Sequence, residues 1–540
     1  MMMRLDRLPS TGTRSRIVRC IGCALSLGTA VGCAGPPRPM DTVVYASGAD
    51  LESGNPLVTT HPLARQVQRY ALFVTLVRFD STLAVAPYFA RSWVWDDDRR
   101  RLTMLLFAGL RWHDGAPTTA RDAAFTLNAA RDPATGFPRA SALVALVGAD
   151  ASNDTTLVIT FAAPQPDLPP ILSELPLAPA HLLADIPHAE LRRHAFGRSP
   201  TGNGPFRFTA RTAGQRWIFE RNEEFPAVLG GPPSLRRLVV AVVDEATIKF
   251  AGLVSGELDV AGIAPSMASL VARDDALRVV TYPLLLTTGL IFNTTRAPFD
   301  DVRVRRAIDL SLQRERTVRV ALAGFAIPAA GAVSSDNPLA LPALAVFDSI
   351  RADSLLDAAG WRRGTDGWRS RASKRFSVEL LTVGAGDNAL EQLIQADLRA
   401  RGIRLEIRQL EMATFLSRAR ETPKRYDVLV TGIPGDLMLA HLASMYESRF
   451  AGGALDYGGF HTARLDSLFS RTRSAPDVAA VRDAWRMVQQ ELGASVPAAW
   501  IYHSRGVQGI SARLRGVTMD LRGEMVTVAR WSVAGDLPRP

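Results

Sequence analysis

The body of the chain lacks cysteine, has little lysine and contains no long apolar run. All three cysteines, Cys20, Cys23 and Cys33, precede residue 34 of the 540, which excludes a disulfide framework in the rest of the protein. No later stretch approaches the ~18 uninterrupted apolar residues of a membrane helix, so we expect a globular body. No G-x-S-x-G, H-E-x-x-H or G-x-x-x-x-G-K motif occurs. The common signatures of serine hydrolases, zinc proteases and P-loop nucleotide enzymes are therefore missing.

Two weaker patterns do not change this expectation. Gly384 to Ala389 fits the loose dinucleotide pattern G-x-G-x-x-A, but an ordinary strand-to-helix loop explains these glycines equally well. His188 and His194 stand six residues apart, off the i, i+4 spacing that directs two histidines to one metal ion. The sequence therefore predicts no enzyme, no cofactor and no metal site.

The charge pattern argues against a nucleic-acid partner. The formal net charge is +10, and nearly all of the basic residues are arginine. The densest basic run, residues 99–101, directly follows three aspartates at 96–98. Because the two signs are interleaved, a solvated turn is the better interpretation than a nucleic-acid surface.

The first residues have the layout of an export signal. Five arginines precede an apolar run of small residues over 21–32, which is too short to span a bilayer permanently. The run ends in Ala-Val-Gly-Cys33, which resembles a bacterial lipobox. That resemblance implies a lipoprotein signal peptide over 1–32, acylation of Cys33, and a lipidated tether over 33–41 that attaches the protein to a membrane. Ordinary secretory cleavage, and metal or redox chemistry at Cys20-x-x-Cys23, are the alternatives.

Hydrophobic periodicity predicts alternating helices and strands. Apolar residues at helical spacing predict a helix over residues 62–78. Thr119 followed by Asp122 is typical of a capping box and predicts a helix to about residue 130. Strand, helix and strand are predicted over 376–383, 388–401 and 403–410. This alternation predicts an α/β fold with parallel sheets.

Several stretches, in a fixed order, resemble one protein family. The residues that carry the resemblance are 87–127, 201–208, 253–262, 290–315, 355–361 and 495–503. The stretch LIFNTTRAPFDDVRVRRAIDLSLQRE at 290–315 is the most specific. Together these stretches resemble the bacterial extracellular solute-binding proteins of family 5, the dipeptide-, oligopeptide- and nickel-binding partners of ABC importers.

The resemblance implies a two-lobed α/β fold of the type II periplasmic-binding-protein kind. One lobe carries an extra domain, and crossover segments form a hinge. The implied divisions are lobe I over 42–66, 183–285 and 493–540, the extra domain over 67–182, and lobe II over 286–492. Most of the shared motifs are expected to be scaffold. In particular, Trp112 is expected to be buried, and Arg305 is expected to fix a domain contact.

The function implied by the resemblance is binding without catalysis. A monomeric, exported, membrane-anchored protein facing the periplasm or cell exterior would capture peptides between its lobes. It would then deliver them to the permease and ATPase subunits of an ABC importer. The same fold could bind a nickel chelate, haem or an oligosaccharide, or act as a ligand sensor. An exported hydrolase is the alternative from another class.

The candidate ligand site follows the strand that contains residues 426–433. The resemblance implies an aspartate there that pairs with the ammonium group of a peptide, and Asp436 occupies that place. Gly435 and Thr431 complete the predicted ligand-binding set, since strand ends that face a crevice are where α/β sheets bind ligands. A solvated turn aspartate is the alternative. The family's following Asp-Pro pair is absent, which leaves the length of the ligand open.

Overall fold

The structure is a computed structural model that describes residues 41–59, 61–384 and 388–534. The predicted signal peptide and Cys33 lie outside the described residues, as does the tether apart from Asp41. Residues 385–387 of the glycine-containing loop also lie outside them.

Short and long strands run through the whole described chain. In chain order they are β1 Thr42–Ser47, β2 Val77–Phe79, β3 Val85–Pro87, β4 Ala90–Trp95, β5 Arg101–Leu106, β6 Leu146–Asn153, β7 Thr156–Phe161, β8 Phe206–Thr212, β9 Arg216–Arg221, β10 Arg237–Val242, β11 Val260–Gly262, β12 Leu277–Phe292, β13 Ala326–Pro328, β14 Arg362–Arg363, β15 Arg369–Arg371, β16 Lys374–Arg375, β17 Ser377–Val383, β18 Arg404–Leu410, β19 Val428–Pro434, β20 Ala498–Ser511, β21 Leu514–Arg515 and β22 Ser532–Val533.

The α-helices lie between these strands, and the longer ones are amphipathic. They are α1 Pro62–Val67, α2 Ala120–Arg131, α3 Ile171–Glu174, α4 Ala180–Leu183, α5 Ala246–Val254, α6 Ala268–Val271, α7 Val302–Ser311, α8 Arg314–Ala321, α9 Ser349–Ala358, α10 Ala389–Ala400, α11 Met412–Arg420, α12 Ala440–Tyr446, α13 Ala463–Ser474 and α14 Val478–Ser495. One π-helical turn, Gln68–Leu72, follows α1 directly.

One mixed sheet extends through both lobes. Its strand order is β18-β17-β19-β12-β20-β11-β1-β10-β9-β8, and β13 pairs with β20 outside this path. We call the half with β1 and β8 to β11 lobe I, and the half with β17 to β19 lobe II. β12 and β20, with 16 and 14 residues, pair with each other along both halves and are the crossover strands of the hinge.

The register between the crossover strands changes at the middle of the sheet. Pro283 pairs with Arg505, and the next pair is Thr287 with His503. Such an irregularity bends a strand and increases its local twist. Apolar cores lie on either side of it. One contains Val43, Trp217 and Ile510, and another contains Leu290, Val430 and Ile501.

A smaller antiparallel sheet forms the extra domain. Its order is β4-β5-β7-β6, and α2 packs on it through Asn128, whose side-chain amide donates to the Ala149 carbonyl (2.7 Å). The predicted capping box is confirmed, because Thr119 accepts from the backbone at the start of α2 and Asp122 accepts from the Thr119 N–H (2.8 Å). The domain boundaries given above stay predictions.

Two expectations about the elements need correction. The helix predicted over 62–78 ends at Leu72, because Phe73 turns to an extended backbone and residues 77–79 pair with β3 as a strand. The main sheet is mixed, not parallel. β1 is parallel to β10, but the crossover strands are antiparallel to each other. Within the described ranges, no helix combines the length and apolarity that crossing a membrane requires.

Candidate functional site

A cleft of about 300 Å³ lies where the two lobes meet the crossover strands. It is lined by residues 81–83 and 520–521 from the lobe I side, by Pro283 of β12, and by residues 335–338 from the lobe II side. Because both lobes contribute walls, a rotation about the crossover strands would change the width of this cleft.

The wall on the lobe I side is held by a tight polar turn in the segment predicted as the extra domain. The Asp80 carboxylate accepts hydrogen bonds from the Thr82 N–H (2.8 Å), the Thr82 hydroxyl (2.7 Å) and the Ala84 N–H (3.1 Å). Leu83 adopts a left-handed backbone (φ 65°), which non-glycine residues rarely do. The turn therefore presents residues 81–83 in one defined conformation.

The lobe II wall is anchored by a buried asparagine. Asn337 is 4% exposed, and its side-chain oxygen accepts from the Leu339 N–H (2.8 Å). Its amide nitrogen donates to the carbonyl of Leu437 (3.2 Å). This second bond brings the loop that contains Asp436 next to the wall of the cleft.

A buried histidine lies on the crossover strand behind the cleft. The Thr287 hydroxyl donates to the Ala332 carbonyl (3.3 Å) and contacts Nδ1 of His503 (2.9 Å). Burial lowers the pKa of His503 to about 4, against the opposing charge of Asp336. Asp336 itself faces Arg505 of β20 at 3.6 Å. His503 is therefore neutral at pH 7, while the charges beside it form a pair.

The predicted residue Asp436 lies at the start of α12 and caps that helix. Its carboxylate accepts from the backbone N–H groups of Met438 (3.0 Å), Ala440 (3.0 Å) and His441 (2.9 Å), and it contacts the His441 ring (3.2 Å). Burial acts to raise the pKa of Asp436, but the bonds and charge of His441 and the backbone donors outweigh it, so the pKa is below its usual value. The carboxylate is ionised at neutral pH.

The two other predicted residues belong to the strand that leads to Asp436. Thr431 pairs with Gly289 in the ladder between β19 and β12. The Gly435 N–H donates to the Leu285 carbonyl (2.7 Å), and Gly435 is not left-handed, in contrast to Leu439 (φ 59°). The left-handed turn of this loop is thus at Leu439. A ligand-binding role for Thr431, Gly435 and Asp436 stays a prediction.

A second polar cluster, which no sequence pattern indicated, lies in lobe I. Tyr45, Tyr282, Gln508 and Glu524 meet there through their side chains. Their sequence separations exceed two hundred residues for most pairs, so no local pattern connects them. No group of three or more histidine, cysteine, aspartate or glutamate side chains among the described residues is arranged to hold a metal ion.

Comparisons with known proteins agree with this geometry. The family described as bacterial extracellular solute-binding proteins, family 5, matches residues 84–454. The oligopeptide-binding protein AppA of Bacillus subtilis is 22% identical over 529 residues, 95% of this chain and 96% of that protein. A Brucella ovis protein, provisionally named an ABC transporter peptide-binding protein, is 30% identical over 311 residues, 57% of this chain. The matched part spans 58% of the length of that Brucella protein.

Solved structures show the same fold. The substrate-binding protein CtaP of Listeria monocytogenes superimposes with a TM-score of 0.81 at 19% identity, covering 91% of this chain and 99% of that one. NikZ of Campylobacter jejuni, solved with Ni(L-His), gives a TM-score of 0.76 at 22% identity, covering 92% and 100%. The expected two-lobed type II fold is thereby confirmed.

Proposed function

The chain belongs to the bacterial extracellular solute-binding proteins of family 5, and we propose that it captures peptides between its lobes and delivers them to an ABC importer. The observation that carries the proposal is the cleft of about 300 Å³ that both lobes line at the crossover strands. Relatives that align over nearly the whole chain are named for oligopeptide and dipeptide binding.

Binding in such a cleft requires no covalent chemistry. An extended peptide offers regular N–H and C=O groups, so main-chain pairing can hold many sequences with little selection among side chains. Closure of the lobes would remove the peptide from water and strengthen each polar contact. We therefore propose a monomeric binding protein that releases its ligand unchanged to permease and ATPase partners.

Asp436 is the proposed contact for the ammonium group of a peptide. Its depressed pKa keeps the carboxylate negative, and the N–H groups at the start of α12 fix its direction. The side chain is about one-third exposed, so a ligand can approach it. An ammonium group would then compete with the His441 ring for the outer face of the carboxylate, beside Gly435 and Thr431.

Calorimetric titration tests this contact. Asp436→Asn is preferable to alanine, because the amide oxygen can still cap α12. It should weaken binding of a free-amino peptide by about thirtyfold, the equivalent of ~2 kcal/mol for an unpaired ligand charge. N-acetylation of the same peptide should weaken its binding to the wild type by a similar factor. The acetylated peptide should then bind the wild type and Asp436→Asn with equal affinity.

The matched control is Asp466→Asn, which changes a lobe II aspartate that accepts from the Ser448 N–H (2.8 Å) outside the cleft. It should leave both affinities unchanged. Equal binding of both peptides to all three proteins would remove Asp436 from the site.

Mass spectrometry of ligand that co-purifies with the protein separates peptides from nickel chelates, haem and oligosaccharides, and recovery of an intact peptide argues against hydrolysis.

Export and anchoring are a separate part of the proposal and depend on Cys33, outside the described residues. If Cys33 is acylated, Cys33→Ala should release the protein from the membrane fraction or leave an uncleaved precursor. A variant that is trimmed normally and stays attached to the membrane would contradict the lipid anchor.

A further inference from the structure

The cleft between the lobes has a carboxylate on each wall, and the two differ in how completely they are paired. Asp520, on the lobe I side, lines the cleft and accepts from the backbone N–H (2.9 Å), Nε (3.0 Å) and Nη2 (2.6 Å) of Arg522. This fork of donors from the same wall neutralises the charge of Asp520. Asp520 therefore has little capacity left for a ligand.

Asp336, which lines the cleft on the lobe II side, is paired far less completely. One of its carboxylate oxygens accepts from the Ser334 hydroxyl at 3.2 Å, which is long for a bond between two oxygens. The Arg505 guanidinium lies 3.6 Å from the other oxygen, beyond hydrogen-bond distance. No other side chain of the described residues bonds to this carboxylate. Since an ionised carboxylate offers about four acceptor positions, most of the capacity of Asp336 is unused.

The arginine beside Asp336 is held just as loosely. Arg505 lies on β20 opposite Pro283, and its guanidinium forms no hydrogen bond within the part of the chain that the structure describes. The Asp336 and Arg505 side chains are 27% and 29% exposed, so solvent reaches both. A partly exposed ion pair without hydrogen bonds contributes little to stability. A cation of the ligand can therefore replace Arg505 at small cost.

The cleft also offers apolar surface beside this carboxylate. Leu83, Pro283, Pro338 and Leu521 line it together with Asp336. None of the described residues that line the cleft is a lysine or an arginine, so its lining supplies no positive charge of its own. A basic side chain combines an aliphatic stem with a cationic tip. Such a side chain matches both the apolar surface and the unused acceptors of Asp336.

We propose that Asp336 is the contact in the cleft for a cationic side chain of the bound peptide, which takes the place of Arg505 at the carboxylate. A lysine ammonium has three donors and no acceptor, so it fills acceptor positions that Ser334 leaves open. This contact is distinct from the one proposed for Asp436, although Asn337 ties the two segments together. The inference rests on the proposed capture of peptides and narrows the preferred cargo to peptides with a basic residue.

Calorimetric titration with matched peptides tests this contact. The probes are four tetraalanine peptides that carry lysine at one of the four positions, each with a partner that carries norleucine at that position. Norleucine keeps most of the aliphatic stem and lacks the charge. For at least one position we expect the lysine peptide to bind the wild-type protein about tenfold more tightly than its partner, the scale of one hydrogen-bonded charge.

Asp336→Asn should abolish that preference, because it removes the charge but retains an oxygen that can accept from the Ser334 hydroxyl. The lysine peptide should lose about tenfold in affinity, and the norleucine peptide should change by less than about twofold. The control is Asp466→Asn, in a lobe II aspartate outside the cleft that accepts from the Ser448 N–H (2.8 Å), and it should keep the preference. Thermal unfolding of both variants checks that the fold is retained.

Arg505→Met distinguishes a ligand contact from a structural role of the pair. It removes the positive charge beside Asp336, and methionine keeps much of the aliphatic length. If a ligand cation takes the place of Arg505, the preference for lysine should increase by about threefold or more, since no competing charge remains. An unchanged or smaller preference in Arg505→Met would contradict the proposal.

The possible failures are distinguishable. If peptides bind but lysine and norleucine partners bind equally at every position, or if Asp336→Asn keeps the preference, the contact is refuted and peptide capture stands. The contact is also refuted if Asp336→Asn weakens both partners equally, because Asp336 would then bind a group that they share, such as the α-ammonium. If no peptide of either kind binds to the wild-type protein, the proposed function fails and the contact fails with it.

Discussion

Arg305 of α7 connects its helix to two other backbone segments. The side chain is 4% exposed. Its guanidinium donates to the carbonyls of Val496 (2.9 Å), Phe299 (2.6 Å), Asp300 (3.2 Å) and Ser495 (2.6 Å). It thereby ties the loop before α7 to the junction between α14 and β20. The expectation that Arg305 fixes a domain contact stays a prediction, as do the domain boundaries.

The cost of removing this side chain follows from the burial of its partners. The bonds to Phe299 and Val496 are buried, whereas water can reach the other two carbonyls. A hydrogen bond to a charged group contributes ~1.5–3 kcal/mol when its partner cannot recover water, so the two buried bonds set the effect. Val496 is also left-handed (φ 46°), a strained conformation for a β-branched residue. We expect Arg305→Met to lower the free energy of unfolding by about 3–4 kcal/mol.

Urea unfolding followed by tryptophan fluorescence measures this loss. Arg305→Lys should be intermediate, since one ammonium cannot reach carbonyls on all sides. The matched control is Arg303→Met on the same helix, where a half-exposed arginine pairs with Asp301. It should cost less than ~1 kcal/mol. If Arg305→Met and Arg303→Met unfold at the same urea concentration, the buried bonds do not hold the junction as argued.

Two further changes test the crossover strands. In the folded protein His503 stays neutral down to about pH 4, whereas in the unfolded chain it protonates near 6.5. Its contribution to the stability of the fold is therefore present above pH 6.5 and is lost as the pH falls toward 4. Between pH 7 and 4.5, the free energy of unfolding should therefore fall by ~2–3 kcal/mol less for His503→Asn than for the wild type. An equal fall for both proteins would contradict this. At Gly506, a Cβ would lie 2.2 Å from the Tyr282 ring, so Gly506→Ala should destabilise by ~1–3 kcal/mol in urea unfolding. The control is Gly493→Ala, in a helix where a Cβ would meet open space, and it should leave stability unchanged or raise it. If Gly506→Ala and Gly493→Ala changed the free energy of unfolding equally, the predicted clash with Tyr282 would be refuted.

Local sequence rules predicted those elements that depend on nearby residues. The capping box of α2 and the strand–helix–strand unit of β17, α10 and β18 appear where spacing placed them. The helix predicted over 62–78 was wrong beyond Leu72. The apolar residues keep their helical spacing past this point, but the backbone becomes extended at Phe73. Burial of residues 71–74 favours apolar side chains in helix and extended chain alike, so periodicity alone could not locate the end.

The candidate site was only partly accessible from the sequence. Asp436 could be singled out because the family resemblance implies an aspartate after this strand, and the structure brings its loop to the cleft through Asn337. Its role as a helix cap was not foreseen, because no helix was predicted directly after it. The Glu524 cluster could not be found at all, because three of its members lie on β1, β12 and β20, which only the sheet order brings together.

The loop before Asp436 is attached to the sheet where the crossover strands change register. Between Pro283 and Thr287, β12 leaves its regular ladder with β20, and in this interval the Leu285 carbonyl accepts from the Gly435 N–H (2.7 Å). Interlobe rotation concentrates where two ladders separate, because fewer hydrogen bonds resist the change in backbone angles there. A rotation at this interval would move the backbone that positions Asp436, because Gly435 is bonded to Leu285 within it. Closure of the cleft by such a rotation would therefore also reorient the predicted ligand carboxylate.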